Sequence, residues 1–296
     1  LSSKKNQPTK KEKALAVYEL RHKYKITALL RKAKLSKSTY YYVIENLSKP
    51  DKYAEIKEVI KQIYHSNKGR YGYRRVTLEL YNIGYTLNRK TVYKIMKELK
   101  IQSFVKVRKY RSYKGNFGIV AKNLLNRNFK ANKPNEKWVT DITQFALLNK
   151  RFYLSPIIDL YNGEVVSYNL SERPFFKQVE DMLDKAFERI PDNSNLILHS
   201  DQGWQYQLEK YQNILKNKGI RQSMSRKGNC LDNACAENFF SILKSEFFYA
   251  KEFESINQFK QELDDYISYY NNSRIKLRLN GKSPIQYRME YYLNVA

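Results

Sequence analysis

The chain has 296 residues, 42% of them hydrophobic, with 55 Lys and Arg against 29 Asp and Glu, a formal net charge of +26. No stretch approaches the roughly 20 apolar residues of a membrane span. The lysine-rich start has no apolar core of a secretory signal, and two cysteines, Cys230 and Cys235, are too few for a disulfide framework or a four-ligand zinc site.

These features point to a reducing, cytoplasmic setting with no membrane association. The first residue is Leu1, which fits a fragment, a non-standard start or the continuation of an upstream reading frame. The charge is unevenly placed. Residues 1–130 hold 33 basic and 8 acidic residues, and residues 131–296 hold 22 and 21. A basic part joined to a neutral one suggests a polyanion-binding region attached to a part with another task.

In chain order, Ile26 to Ala33 reads as a short helix, Lys34-Leu35 as a turn, and Ser36 as the cap of a second helix from Lys37 to Leu47. This is a helix-turn-helix pattern within residues 1–50. Lys37, Thr39 and Tyr40 lie in the first turn of its second helix, where such motifs meet base edges. A second such module spans residues 53–101. Ile56, Val59, Ile60 and Ile63 form one apolar face, Arg74 and Arg75 follow Gly72-Tyr73, and Gly84 breaks the pattern. Asn88 then caps a helix with Val92, Ile95, Met96 and Leu99 inward, and with Arg89, Lys90, Lys94 and Lys97 off that stripe. Residues 102–133 hold nine basic residues and no acidic one, and read as a linker that tracks a phosphate backbone. Its Phe104, Tyr110, Tyr113, Phe117 and Phe129 suit stacking on bases or docking on a neighbour.

From Trp138 the pattern changes. Strands are expected over Trp138–Leu148, Phe152–Leu160 and Glu164–Leu170, with a tight Asn162-Gly163 turn. A helix from Phe175 to Ile190 follows, then a strand Leu196–His199, a helix Tyr206–Lys218 and a strand Ile220–Met224. Two helices, Ala234–Phe248 and Ile256–Tyr270, close the order. It matches an α/β ribonuclease H-like core over residues 134–291, a mixed five-stranded sheet with flanking helices, preceded by small all-α modules. The two halves are expected to come apart near Lys133, residues 131–296 folding alone.

Three carboxylates sit where this fold would gather them. Asp141 interrupts the apolar strand around Val139 and Ile142, Asp201 ends the run Ile197-Leu198-His199-Ser200, and Glu237 lies on the late helix. An unpaired buried carboxylate is costly, and three together become tolerable when a cation neutralises them. Oxygen donors without a Cys/His cluster point to Mg²⁺ or Mn²⁺. Two such ions activate a water or a 3′-hydroxyl and stabilise the leaving oxygen of a phosphodiester. His199 is read as an auxiliary positioning or proton-handling group or as a packed core histidine, and the cysteines as structural.

The motifs Trp138-Val139-Thr140-Asp141-Ile142-Thr143, His199-Ser200-Asp201-Gln202-Gly203, and Ser225-Arg226-Lys227-Gly228-Asn229-Cys230 leading into Asp232-Asn233-Ala234 and Glu237, with Lys244 beyond, carry a resemblance. They resemble the catalytic core of DDE-type transposases and retroviral integrases, and more closely the transposases of two-reading-frame bacterial insertion sequences. Residues 70–93 resemble that family's second helix-turn-helix.

The resemblance implies DNA cleavage at element ends and strand transfer into target DNA, two metal ions per site bridged by Asp141 and completed by Asp201 and Glu237. It also implies an assembly of at least two protomers, working on the bacterial nucleoid. Lys244, Arg226 and Lys227 are then DNA contacts near the cut. A nuclease or resolvase that never joins, and a DNA-binding regulator with an inactive core, are the alternatives. Lys276 stands where many relatives have His.

Overall fold

The computed structural model describes residues 8–105, 120–226 and 230–295. The chain forms two compact units, residues 1–61 and 62–296. In the first, helices α1 (Lys10–Leu20), α2 (Ile26–Ala33) and α3 (Lys37–Ser48) close around Ala14, Val17, Leu30, Leu35 and Tyr40. Ser36 caps α3 as its position predicts, accepting from the Thr39 N–H at 3.2 Å. Lys34 turns the chain with φ 50°. Helix α1 is an addition to the sequence reading. Its start carries a capping box, Thr9 with Glu12, but only Ala14 and Val17 are buried, too thin a stripe to stand out by periodicity.

Helix α4 (Ala54–Ser66) leads into the second unit, where α5 (Tyr73–Asn82) and α6 (Arg89–Glu98) pack together. Asn88 caps α6 through the Lys90 N–H at 2.8 Å. Val92, Ile95 and Met96 are buried, leaving Arg89, Lys90, Tyr93, Lys94 and Lys97 outward.

The sheet runs β1 (Lys137–Thr140), β2 (Thr143–Leu147), β3 (Lys150–Asp159), β4 (Val165–Ser171), β5 (Ile197–Ser200) and β6 (Arg221–Met224). Strand β3 pairs antiparallel with β4 on one edge and with β2 and then β1 on the other, while β1–β5 and β5–β6 are parallel. The expected single strand Trp138–Leu148 is therefore two segments. They keep one register: Thr140 opposes Ile157 and Thr143 opposes Leu154, so in both the paired numbers add to 297. The six named strands thus occupy five positions, as the ribonuclease H-like reading requires. The gap falls at Asp141 and Ile142. Opposite Asp141 this register sets Pro156, which has no N–H for the ladder, and the Ile142 N–H donates to the Asp141 carboxylate instead.

Two apolar layers cover the sheet. Val139, Ile158 and Ile197 join Phe239, Phe240, Leu243, Phe259 and Leu263 on one face. Trp138, Ile157 and Leu198 join Val179, Met182, Leu183, Tyr211 and Leu215 on the other. Neighbours in sequence go to opposite faces, the period of two of a strand buried on both sides. Helices α7 (Phe176–Phe187) and α8 (Glu209–Asn217) supply the second face, and α9 (Ala234–Leu243) and α10 (Ile256–Asn272) the first. A last helix, α11 (Pro284–Val295), is anchored where Arg288 pairs with the buried Asp159 and Glu164. The expected helix from Tyr206 begins as a separate 3-10 turn, Trp204–Gln207.

Two organisational expectations change. Residues 120–131 do not hang loose as a linker. Leu124 N–H donates to Ser223 Oγ at 2.9 Å, Met224 N–H to the Lys122 carbonyl, and Leu125 is buried in the core. Tyr110, Tyr113 and Phe117 lie outside the described residues. Nor does the second helix-turn-helix stand apart from the residues beyond Lys133. Tyr71 is buried, receiving the Ile275 N–H at 2.9 Å, Tyr269 reaches Asn67 at 3.0 Å, and Asn82 donates to the Gly281 carbonyl at 2.9 Å. A polypeptide of residues 51–296 is expected to keep the stability of the catalytic unit. One of residues 131–296, which strips Tyr71 and Arg75 from their partners, loses about 3 kcal/mol or more. Denaturant titration of both checks this, and equal midpoints would show that the docking contributes little.

Candidate active site

Strands β1 and β5 run parallel with a constant offset: Lys137 beside Ile197, Trp138 beside Leu198, Val139 beside His199, 60 positions apart each time. Carried two residues further, that offset sets Asp141 level with Asp201. Both lie at the carboxyl ends of neighbouring strands, the end where open α/β sheets hold their ligands. Strand parity gives Asp141 the face of Val139, the face on which α9 packs against β1. Helix α9 carries the half-buried Glu237 in its first turn.

Asp141 is buried. One carboxylate oxygen accepts the Ile142 N–H at 2.7 Å and the other the Asn233 side-chain N–H at 2.9 Å. Burial above all pushes its pKa well up, and the charges of Asp201 and Glu237 push it further. Asp201 is raised by burial, against the pull of the Gly203 N–H it accepts at 2.8 Å. Glu237 is raised by burial and then by Asp201. Asp141 therefore senses both of the others, and Glu237 senses Asp201, as like charges in a poorly solvated place. Among the described residues no three His, Cys, Asp or Glu side chains stand close enough to enclose an ion. The oxygen-only donor set is that of Mg²⁺ or Mn²⁺.

Lys244 begins a π-helical turn, Lys244–Phe248, that continues α9. Its ammonium lies 5.5 Å from the centre of the Phe145 ring. Burial lowers its pKa while Asp141 raises it, so it shares the electrostatic field of the carboxylates.

Other expected residues have different surroundings. His199 is fully buried, with Nδ1 on Ser223 Oγ at 2.8 Å and Nε2 on the Asp232 carbonyl at 2.9 Å. Both ring nitrogens are committed and burial lowers its pKa, so of its two readings the structure has the packed histidine. Arg226 is not a free basic tip. It forks onto Asp232 through Nε at 2.9 Å and Nη2 at 3.0 Å, and Arg127 joins at 3.1 Å. Lys227 lies outside the described residues. Arg75 reaches the buried Glu246 at 3.2 Å, while Arg74 is exposed. Lys37, Arg89, Lys90 and Lys94 are exposed on the helices expected for them, and the Thr39 hydroxyl is tied to Ser36 at 2.7 Å. Cys235 is a half-buried thiol against the core.

Sequence reasoning missed Asn233. It stands at the N-cap of α9, where Asn normally caps its own helix. Its side chain makes no cap bond and turns to Asp141, and its buried Oδ1 has no hydrogen-bond partner among the described residues. The usual meaning of Asn before a helix hid this role.

Residues 131–230 and 237–291 match the family described as integrase core domain, and residues 51–110 match an HTH-like domain. The chain is 55% identical to the putative transposase InsK for insertion sequence element IS150 of Escherichia coli, over 93% of this chain and 97% of that protein. The chain belongs to the insertion-sequence transposases. It is also 37% identical to the transposase for insertion sequence element IS904 of Lactococcus lactis, over 77% of this transposase and 91% of that one. Among solved structures, the HTLV-2 integrase catalytic core domain in complex with magnesium is 14% identical with a TM-score of 0.42. The match covers 54% of this chain and 99% of that one.

The raised carboxyl of Asp141 makes a stability prediction for this transposase. A group whose folded-state pKa is raised destabilises the fold above that pKa and ceases to do so below its unfolded value. Asp141→Asn is expected to stabilise the metal-free protein by about 1 kcal/mol at about pH 8. Turned round, the Asn233 amide can accept from the new side chain. The gain should fade as pH falls, when the native Asp141 becomes neutral too, and as Mg²⁺ is added. Thermal unfolding across pH with and without Mg²⁺ tests it; a gain independent of both would mean Asp141 carries no such repulsion.

Proposed function

We propose that this transposase cuts DNA at the ends of its insertion element and joins the freed 3′-hydroxyls to target DNA by metal-assisted phosphodiester transesterification. The observation that supports the proposal is that Asp141 lies level with Asp201 at the carboxyl ends of neighbouring parallel strands, on the face where α9 brings Glu237, and that its carboxyl is pushed up by burial and by the charges of both. A DNA-binding regulator with an inactive core has no use for so unfavourable a grouping. A nuclease that never joins would share it, and strand transfer separates the two.

Asp141, with Asp201 and Glu237 on either side, would hold two Mg²⁺ or Mn²⁺ ions. Bound there, such ions supply the Lewis acidity that activates water or a 3′-hydroxyl and stabilises the leaving oxygen. The chain's own residues set the geometry. The Ile142 N–H and the Asn233 amide fix both oxygens of Asp141. The Gly203 N–H fixes Asp201. Lys244 would take a phosphate beside the scissile bond. Around Asp232, the Arg226, Arg127 and Asn123 side chains secure the turn that aims α9. The basic faces of α3 and α6, with Lys37, Thr39, Arg89, Lys90 and Lys94, and Arg74 at the start of α5, would read the terminal repeats and hold their phosphates. Joining two ends calls for at least a dimer. No helix among the described residues is long and apolar enough to cross a membrane, which fits work on the bacterial nucleoid.

Replacing Asp201 or Glu237 by its amide should lower cleavage and joining by at least about 10³-fold, because a neutral ligand no longer holds the cation. Gel-shift binding of element ends should be unchanged. Normal Mg²⁺-dependent strand transfer by Glu237→Gln would remove that residue from the site. Lys244→Ala should slow joining of a pre-cut end about tenfold while overall affinity changes less, since one phosphate contact among many is lost. Unaltered joining would remove Lys244 from the site.

A further inference from the structure

We propose that Arg75 and Glu246 key the second helix-turn-helix to the catalytic helix, so that DNA held by α6 sets the position of Glu237 and Lys244. This rests on the transposase reading above and adds a positioning pair that the cleavage chemistry does not itself require.

The helix bearing Glu237 does not stop at Leu243. It widens into the π-helical turn Lys244–Phe248, a rare form that concentrates at functional sites. Two residues along a helix is about half a turn. Lys244 accordingly faces the Asp141 side, and Glu246 faces the opposite way, toward the segment Gly69–Arg75.

Glu246 is almost completely buried and saturated. Arg274 donates to both its oxygens at 2.7 Å, the Tyr266 hydroxyl to one at 3.1 Å, and Arg75 to the other at 3.2 Å. Arg70 donates to the Glu246 backbone carbonyl at 3.2 Å, its guanidinium over the rings of Tyr269 at 4.7 Å and Tyr266 at 5.2 Å.

The charge balance separates the two arginines on the carboxylate. Arg274 lies in the same buried pocket, is as inaccessible as Glu246, and neutralises it by a forked pair. Arg75 is a second cation, a quarter exposed, and Glu246 does not need it to be neutral in the core. What Arg75 adds is a tie from the first turn of α5 to the turn that continues the catalytic helix. Arg74, next to it, is exposed, and α5 packs on α6. A shift of α5 and α6 on binding DNA therefore pulls on Glu246, and through one continuous helical segment on Glu237 and Lys244. Packed interfaces of this kind move between discrete arrangements rather than stretching.

The test uses the full chain with Arg75→Gln, which leaves the forked Glu246–Arg274 pair in place. Binding of element-end DNA should stay within about twofold of wild type, and joining of saturating pre-cut ends should slow about tenfold, with Arg75→Lys recovering most of the rate. Adding Arg75→Gln to Glu246→Gln should cost no more than Glu246→Gln alone. Independently of activity, end DNA should slow amide exchange across Ala234–Phe248 in wild type and not in Arg75→Gln.

Weakened end binding with an unchanged saturated rate would make Arg75 a DNA contact and overturn the proposal. So would additive losses in the double variant, or equal protection of Ala234–Phe248 in wild type and variant. A wild-type chain that shows the exchange response but never joins ends would overturn the function instead and leave the coupling standing.

Discussion

A buried carboxylate, Asp141, stands at the carboxyl end of the sheet within the field of two others, Asp201 beside it and Glu237 on α9, and the surrounding structure of the second unit has to accommodate that repulsion. The cost of desolvating a carboxylate is several kcal/mol unless a partner offsets it. Among the described residues, Asp141 has two neutral donors and no cation as hydrogen-bond partners. The ladder gives way at that point, with Pro156 opposite and the Ile142 N–H turned onto the carboxylate. A strand with an uninterrupted ladder would have used that donor in the sheet. The unbroken register on both sides shows that the gap is local and that the sheet closes around it.

Cations stand one layer back from this site. Arg226 and Arg127 meet on Asp232, whose carboxyl they hold far below its usual range, and His199 ties the same turn to β5 and β6. Arg274 and Arg75 meet on Glu246 at the other end of the same helical segment. Glu237 and Lys244 are thus carried on a segment pinned before and after by buried acidic groups with their own counter-ions. Such pinning fixes both ends of the segment that presents Glu237 and Lys244 toward Asp141.

The second helix-turn-helix is part of this arrangement. Tyr71 is sequestered beneath the tail segment, and Arg70 and Arg75 reach the helical segment that carries Glu237, so α5 and α6 belong to the same compact unit as the three carboxylates, residues 62–296. Charge partition alone suggests two independent halves because net charge reports which surface faces a polyanion. It carries no information about which buried faces are complementary. The arginines that look like phosphate ligands by composition, Arg75 and Arg226, turn out to be held by acidic residues 171 and 6 positions further along the chain.

Local signals determined much by themselves. The caps at Ser36 and Asn88, the apolar stripes of α4, α6 and α7, the turn at Asn162-Gly163, and the three carboxylates with their order along the chain all depend on neighbours within a few residues. Helix and strand periodicity records just such neighbours. Tertiary structure decided the rest. The split of the first strand follows from Pro156 on a different strand. The alignment of Asp141 with Asp201 follows from a parallel pairing across 60 residues. The turn of Asn233 away from its own helix, the burial of His199 and the capture of Arg75 by Glu246 each depend on a partner brought close only by folding. A side chain's role is set by the partners it meets, and for these residues the partners lie far off in sequence, beyond the reach of spacing or composition.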